Sequence, residues 1–296
     1  MSTGYSLRLL LLGLASFYLV HLLMNLVLRG LLPAILRRAR NMCPRNASDL
    51  LLAIRLAPAA VGAMFAVAIC VPAYLRHEPV LGDENTSAVL CLLAGLSAVV
   101  CLQSLARVAL ALRRSVAPTG DGPILRLTGI LSPRLQISRQ VRAALSEEQW
   151  QTVMRHEEAH AVSRDNLKRL LMLLTPGLIP FDRGWPLLEK AWAEATECAA
   201  DAAAVDGDPR RALELAEALV RMARLGLDSS AGQLVSPFAT DAEHLRVRVD
   251  ALLQSTPRAA RWGWILPASA LALTVFVFTA QAWLREVHGV LELLVD

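Results

Sequence analysis

His156-Glu157-Glu158-Ala159-His160 is the stretch on which the reading of this chain turns. In a helix, residues four apart stack on one face, so both imidazoles reach one metal ion and Glu157 stands beside them to polarise a metal-bound water. The H-E-x-x-H spacing therefore proposes a zinc peptidase with Glu157 as general base. A catalytic zinc generally takes three protein ligands and keeps one position for water, so the chain must supply another ligand. Glu197, 37 residues beyond His160, is the preferred candidate because Asp201 stands four residues later on the same helix face. Asp201 would accept a hydrogen bond from a ligand imidazole and fix its tautomer. Glu194 competes from one turn earlier but has no carboxylate at the matching later position. The developing oxyanion needs a further donor, for which His244, Arg246 and Arg248 are the downstream candidates. Asp165 is read as holding local structure, and Trp150, Trp185 and Trp192 as packing or membrane-surface residues.

Working outward, the 296 residues are 55% hydrophobic, above ordinary soluble composition, so part of the chain belongs in lipid. The formal charge of +4 does not indicate nucleic acid, because the arginines cluster at the ends of apolar runs, as in Arg37-Arg38-Ala39-Arg40 and Arg113-Arg114. The five cysteines have no C-x-x-C pair or regular spacing, so neither a disulfide framework nor a cysteine zinc site is indicated. The first apolar run is long enough to span and has no clear A-x-A cleavage site after it, so it reads as a retained helix.

Three spans precede the motif, at about 9–28, 50–75 and 88–112, each reaching the roughly 20 residues needed to cross the hydrocarbon core. His21 and Asn25 are expected to pair within the bundle and Arg55 to snorkel from a span end. The connection 29–49 carries Arg29, Arg37, Arg38, Arg40 and Arg45 against Asp49, whereas the second connection carries Arg76, Glu78, Asp83 and Glu84. The positive-inside rule then places the first connection and the motif in the cytoplasm and the amino terminus outside. A fourth span at about 262–284 holds no charge and has Trp262, Trp264 and Trp283 near its ends, leaving Arg285 to Asp296 outside. The expected domains are residues 1–112 in the membrane, a cytoplasmic peptidase domain over 113–258, and the fourth span with its tail over 259–296.

Between the third span and the motif, prolines and glycines punctuate Ile124-Leu125-Arg126-Leu127 and Leu135-Gln136-Ile137, which predict a short strand pair. Its edge could hold an extended peptide by strand addition, or the segment is a linker. Ser146 and Gln149 predict a capping box opening the motif helix, which should continue through Leu174 to Pro176-Gly177. Helices are expected at about 186–205, 209–225 and 241–253, with a flexible polar stretch over 228–233.

The pattern resembles the integral-membrane zinc metallopeptidases of the BlaR/MecR antirepressor type. Three spans, a zinc domain and a fourth span follow that family's membrane portion, and His156 to His160 with Arg164-Asp165 looks like its H-E-x-x-H-x(3)-R-D segment. Glu197 to Asp201 looks like its E-x-x-x-D element, and Arg248-Val249-Asp250-Ala251-Leu252 like its closing R-I-x-x-L. The resemblance implies a mainly α, gluzincin-like domain in a multi-pass inner-membrane protein, with His156, His160 and Glu197 binding Zn2+, Glu157 as base and Asp201 behind a ligand. It also implies a protein substrate, such as a cytoplasmic DNA-binding repressor, with homo-oligomerisation left open. The penicillin-binding sensor that follows the fourth span in the best-known members has no counterpart here, so beta-lactam sensing is not expected. Membrane proteases of the prenyl-protein-processing and heat-shock type share both motifs and are the enzymatic alternative; a non-catalytic membrane transducer or scaffold is the other.

Overall fold

The computed structural model describes residues 3–77, 87–116, 125–130, 134–175, 177, 184–225 and 242–253. Over these residues the chain is mainly helical. The first helix, α1 (Thr3–Arg40), outruns the expected span, so Arg29, Arg37, Arg38 and Arg40 lie on a helix and only residues 41–43 lead to α2 (Pro44–Phe65). Pro44 opens α2 at a position where its missing N–H has no helical partner to lose. A π-helical turn, Ala66–Cys70, passes α2 into α3 (Val71–His77). Pro72 explains the wide turn: its ring crowds the carbonyl four residues back and it donates no hydrogen bond, so the ladder loosens just before it. After the second connection comes α4 (Ala88–Val116).

Among the described residues, three stretches are long and apolar enough to cross a membrane: Gly4–Arg40, Pro44–Arg76 and Ala88–Arg113. Only 22–28% of the residues in their most apolar windows are buried, so leucines such as Leu10, Leu23, Leu92 and Leu102 face outward, a surface suited to lipid tails. At 1.5 Å per residue the first two stretches measure roughly 55 and 50 Å, well beyond a ~30 Å hydrocarbon core. The helices approach closely at Gly62, where an added Cβ would lie 3.1 Å from the Phe17 carbonyl oxygen. His21 is buried against Phe17, and Asn25 Nδ2 donates to the His21 carbonyl at 2.6 Å, so these polar guests are absorbed in the bundle. Arg55 departs from expectation: it is 4% exposed and turned into the protein.

The strand pair forms as β1 (Leu125–Thr128) and β2 (Arg134–Ile137), antiparallel with Leu125 opposite Ile137 and Thr128 opposite Arg134. Five helices follow to the end of the site region's packed core: α5 (Arg139–Ala144), α6 (Glu147–Ser163), α7 (Asp165–Leu174), α8 (Gly184–Val205) and α9 (Pro209–Arg224); α10 (Ala242–Leu253) closes it. Val141, Val153, Ala204, Leu215, Leu219 and Met222 form one core, drawn from α5, α6, α8 and α9. A second core is shared with the membrane helices, where Ala39, Ala47, Leu51 and Leu52 pack against Met172, Leu188 and Trp192. All five cysteines are free. The acidic residues of the second connection, the stretch 228–233, the fourth span at 262–284 and the tail lie outside the described residues.

Candidate metal centre

The helix carrying the motif starts as its sequence dictates. Ser146 Oγ accepts from the Gln149 N–H and Gln149 Oε1 accepts from the Ser146 N–H, each at 3.2 Å, closing the capping box. The next turns are fastened to α9, with Gln149 Nε2 donating to Glu217 at 2.8 Å and Thr152 Oγ1 to Glu214 at 3.0 Å. Contrary to expectation, the helix does not run on to Pro176. It stops at Arg164, whose left-handed backbone (φ 55°, ψ 43°) ends α6 and begins α7 in a new direction. That turn brings Asp165, the first residue of α7, back beneath the motif.

His156 and His160 share one helix face as the spacing predicts, their rings edge-on and their Nε2 atoms 3.1 Å apart. Glu197 from α8 completes a triangle, its carboxylate oxygens 3.6 Å from His156 Nε2 and 3.7 Å from His160 Nε2. These three side chains form a cluster able to hold a metal ion. The fit is geometric: ligands about 2.0–2.1 Å from a tetrahedral zinc stand roughly 3.3 Å from one another, within the observed spread. Glu194 does not join them; it is half-buried and faces Lys190 at 3.9 Å.

Each imidazole is backed by a carboxylate. His160 Nδ1 lies 2.7 Å from Asp165 Oδ2 in a hydrogen bond, and His156 Nδ1 lies 2.9 Å from Asp201 Oδ1 without hydrogen-bond alignment. Asp165 in turn accepts from Ser163 Oγ and faces Lys168 Nζ at 3.3 Å. Asp165 thus touches more than its own helix turn, holding the ring of a candidate ligand. A distinct signal was present in the sequence, an acid five residues past the second histidine, but it reaches the ring only because the helix breaks between them.

Arg248 on α10 is 2% exposed and is committed to two acids of α8, Glu197 and Asp201. Its Nε and Nη2 donate to the Asp201 oxygens at 2.8 and 2.6 Å, and Nη1 stands 3.1 Å from Glu197 Oε2. It is therefore placed to orient ligand carboxylates, a different task from the oxyanion donor considered from the sequence. Arg246 points away, highly exposed beside Asp250 at 3.7 Å. His244, one turn before Arg248, has a buried Nε2 with no hydrogen-bond partner among the described residues.

The electrostatics divide the site. Burial raises every carboxyl, but Arg248 and then His160 hold Glu197 well below the usual range, and Arg248 also lowers Asp201. Burial wins at Glu157, whose carboxyl is pushed up. Its Oε2 is buried with no hydrogen-bond partner among the described residues. For the imidazoles burial acts downward, yet Asp201 and Glu197 raise His156, and Glu197 and Asp165 carry His160 to about 10. Cys198, beside the ligand helix face, is driven up to about 11 by burial and then Asp201, which keeps it an inert thiol.

The donor set thus defines a two-histidine, one-glutamate cluster with a further glutamate set between its histidines in sequence. Compared with known proteins, the chain matches no family model, no curated protein and no solved structure.

Proposed function

We propose that the chain is a membrane-embedded zinc endopeptidase of the BlaR/MecR kind, which hydrolyses peptide bonds of a cytoplasmic or membrane-associated protein, a transcriptional repressor being the leading type of substrate. The observation that carries the reading is the upshifted Glu157 carboxyl, whose Oε2 has no partner among the described residues, together with the convergent His156, His160 and Glu197. When bound, zinc supplies Lewis acidity to the scissile carbonyl and lowers the pKa of water. Glu157 accepts the proton of the attacking water and passes it to the leaving amine, so no covalent intermediate is needed. His244 Nε2 is the donor for the developing oxyanion, while Asp165, Asp201 and Arg248 keep the ligands in place.

The strand pair supports a peptide substrate. Asn166, next to Asp165, donates from Nδ2 to the Gly129 carbonyl at 2.9 Å, which ties the residue after β1 to α7, and strand addition to the pair would hold an extended substrate chain. Four spans, with both termini outside and the centre at the cytoplasmic face of the inner membrane, are the topology that the arginines favour. In this reading the partners are the bilayer and the protein substrate, with no direct contact to nucleic acid.

The test is Glu157→Gln in the full chain. It should retain about one zinc per chain while the cleavage products seen in membranes carrying the unaltered protein disappear. Undiminished proteolysis by the variant would overturn the mechanism. Unaltered protein that binds zinc but yields no cleavage product would favour a transducer.

A further inference from the structure

We propose that Arg55 and Asp49, both on α2, are positioning residues for the metal centre, so that a membrane-spanning helix sets how tightly the centre holds its ion. The proposal rests on the metal-site reading above.

Arg55 sits where three helices meet and uses its donors on two of them. Nε donates to Glu189 Oε1 of α8 at 2.7 Å; Nη1 donates to Thr175 Oγ1; Nη2 donates to the Met172 and Thr175 carbonyls at 3.2 and 3.4 Å. The Trp185 ring of α8 lies 5.1 Å from its guanidinium carbon. Met172 lies in the last turn of α7 and Thr175 is its C-cap, where carbonyls lack a helical N–H donor and the helix dipole favours a cation. One side chain therefore grips the last turn of α7 and an early turn of α8.

Those are the two helices that serve the centre from their other reaches. α7 begins with Asp165, which holds His160, and α8 carries Glu197 eight residues beyond Glu189, about 12 Å along its axis. The second link runs through Lys168, whose Nζ stands 3.3 Å from Asp165 Oδ1 and 3.9 Å from Asp49 Oδ1. Asp49 lies six residues before Arg55 on α2, about 9 Å away. α2 is thus joined to the centre at both helices by polar contacts.

Apolar packing already holds these helices together through Leu51, Leu52, Met172, Leu188 and Trp192. Such packing is non-directional and resists separation more than sliding or rotation. The guanidinium fork and its partners have fixed geometry, so they set the register of α7 and α8 against α2. A shift of α2 along or about its axis would move Asp165 and Glu197 relative to the two histidines.

The experiment measures zinc affinity by chelator competition, and the absorption spectrum of the cobalt-substituted site, on the full chain in detergent. Arg55→Ala should weaken zinc binding by about 10-fold or more, the scale seen when groups behind metal ligands are removed, and should alter the cobalt bands. Arg55→Lys, which keeps the charge and loses the fork, should fall between. Asp49→Asn should weaken binding about threefold, and Asp49→Asn added to Lys168→Met should be no worse than Lys168→Met alone, as expected of one linked path. Leu51→Ala, in the same interface, should lower the melting temperature while zinc affinity stays within about twofold. Affinity and cobalt spectrum like the unaltered protein in folded Arg55→Lys and Asp49→Asn would overturn the proposal. Failure of the unaltered chain to take up zinc would instead overturn the metal-site reading, and this proposal with it.

Discussion

His160 and Arg248 carry buried positive charge beside Glu197, and each has a measurable consequence. In the metal-free protein His160 carries its proton well above neutrality, because Glu197 and Asp165 outweigh burial. Its folded-state value near 10 lies above the ordinary 6.5, so its stabilisation of the metal-free fold is complete below about pH 6.5 and is lost as pH rises toward 10. A zinc ion must displace that proton, so zinc affinity should tighten with pH, by up to about tenfold per unit for each proton released. Titrations at pH 6.5, 7.5 and 8.5, with proton release followed in weak buffer, would show this; an affinity independent of pH would contradict it. Arg248→Met leaves Glu197 and Asp201 buried without their cation, and loss of a buried partner typically costs about 3–5 kcal/mol. The expected result is a lowered melting temperature, partly restored by zinc, whose charge replaces the missing one.

At the scale of elements, α6 was legible because its start is written in adjacent residues. Ser146 and Gln149 satisfy each other's backbone groups, and Ser146→Ala should lower stability by about 1 kcal/mol in thermal or denaturant unfolding. Its end was not legible, since nothing local at Arg164 announces a left-handed residue where glycine is the usual choice. Arg164→Val should destabilise by about 1–2 kcal/mol and weaken zinc binding, because β-branching disfavours that backbone and Asp165 depends on it. Arg164→Gly should keep the turn and the metal. Helix lengths were underestimated for a related reason. Hydropathy finds where a helix is apolar, but α1 and α2 continue as helices through arginine-rich turns that lie against α8.

The molecule as a whole joins its membrane-length apolar helices to the helices of the candidate metal centre through a common core. Leu51 and Leu52 of α2 cover Leu188 and Trp192 of α8, the helix that supplies Glu197. A fragment beginning after α4 would expose that face in one patch, and it should aggregate or lose zinc in size-exclusion and metal analysis. A monodisperse, zinc-loaded fragment would show that the centre stands without the membrane helices. A reporter joined after Asp296 should be active only outside the cytoplasm if the fourth span crosses as its composition suggests.

By itself the sequence determined the membrane-length apolar helices, the start of α6, and the pairing of His156 with His160. All of these arise from contacts within a few residues, where helical periodicity and capping act. It also singled out Glu197 and Asp201 as one helix face. Only the tertiary structure decided that this face meets the histidines, that Arg248 serves its acids, and that Asp165 reaches His160 across a broken helix. The Arg55 to Glu189 bond, 134 residues apart in sequence, belongs to the same class. Spacing along one helix can be read from the chain, whereas the meeting of separate helices follows from how their apolar faces pack, a property no single segment carries.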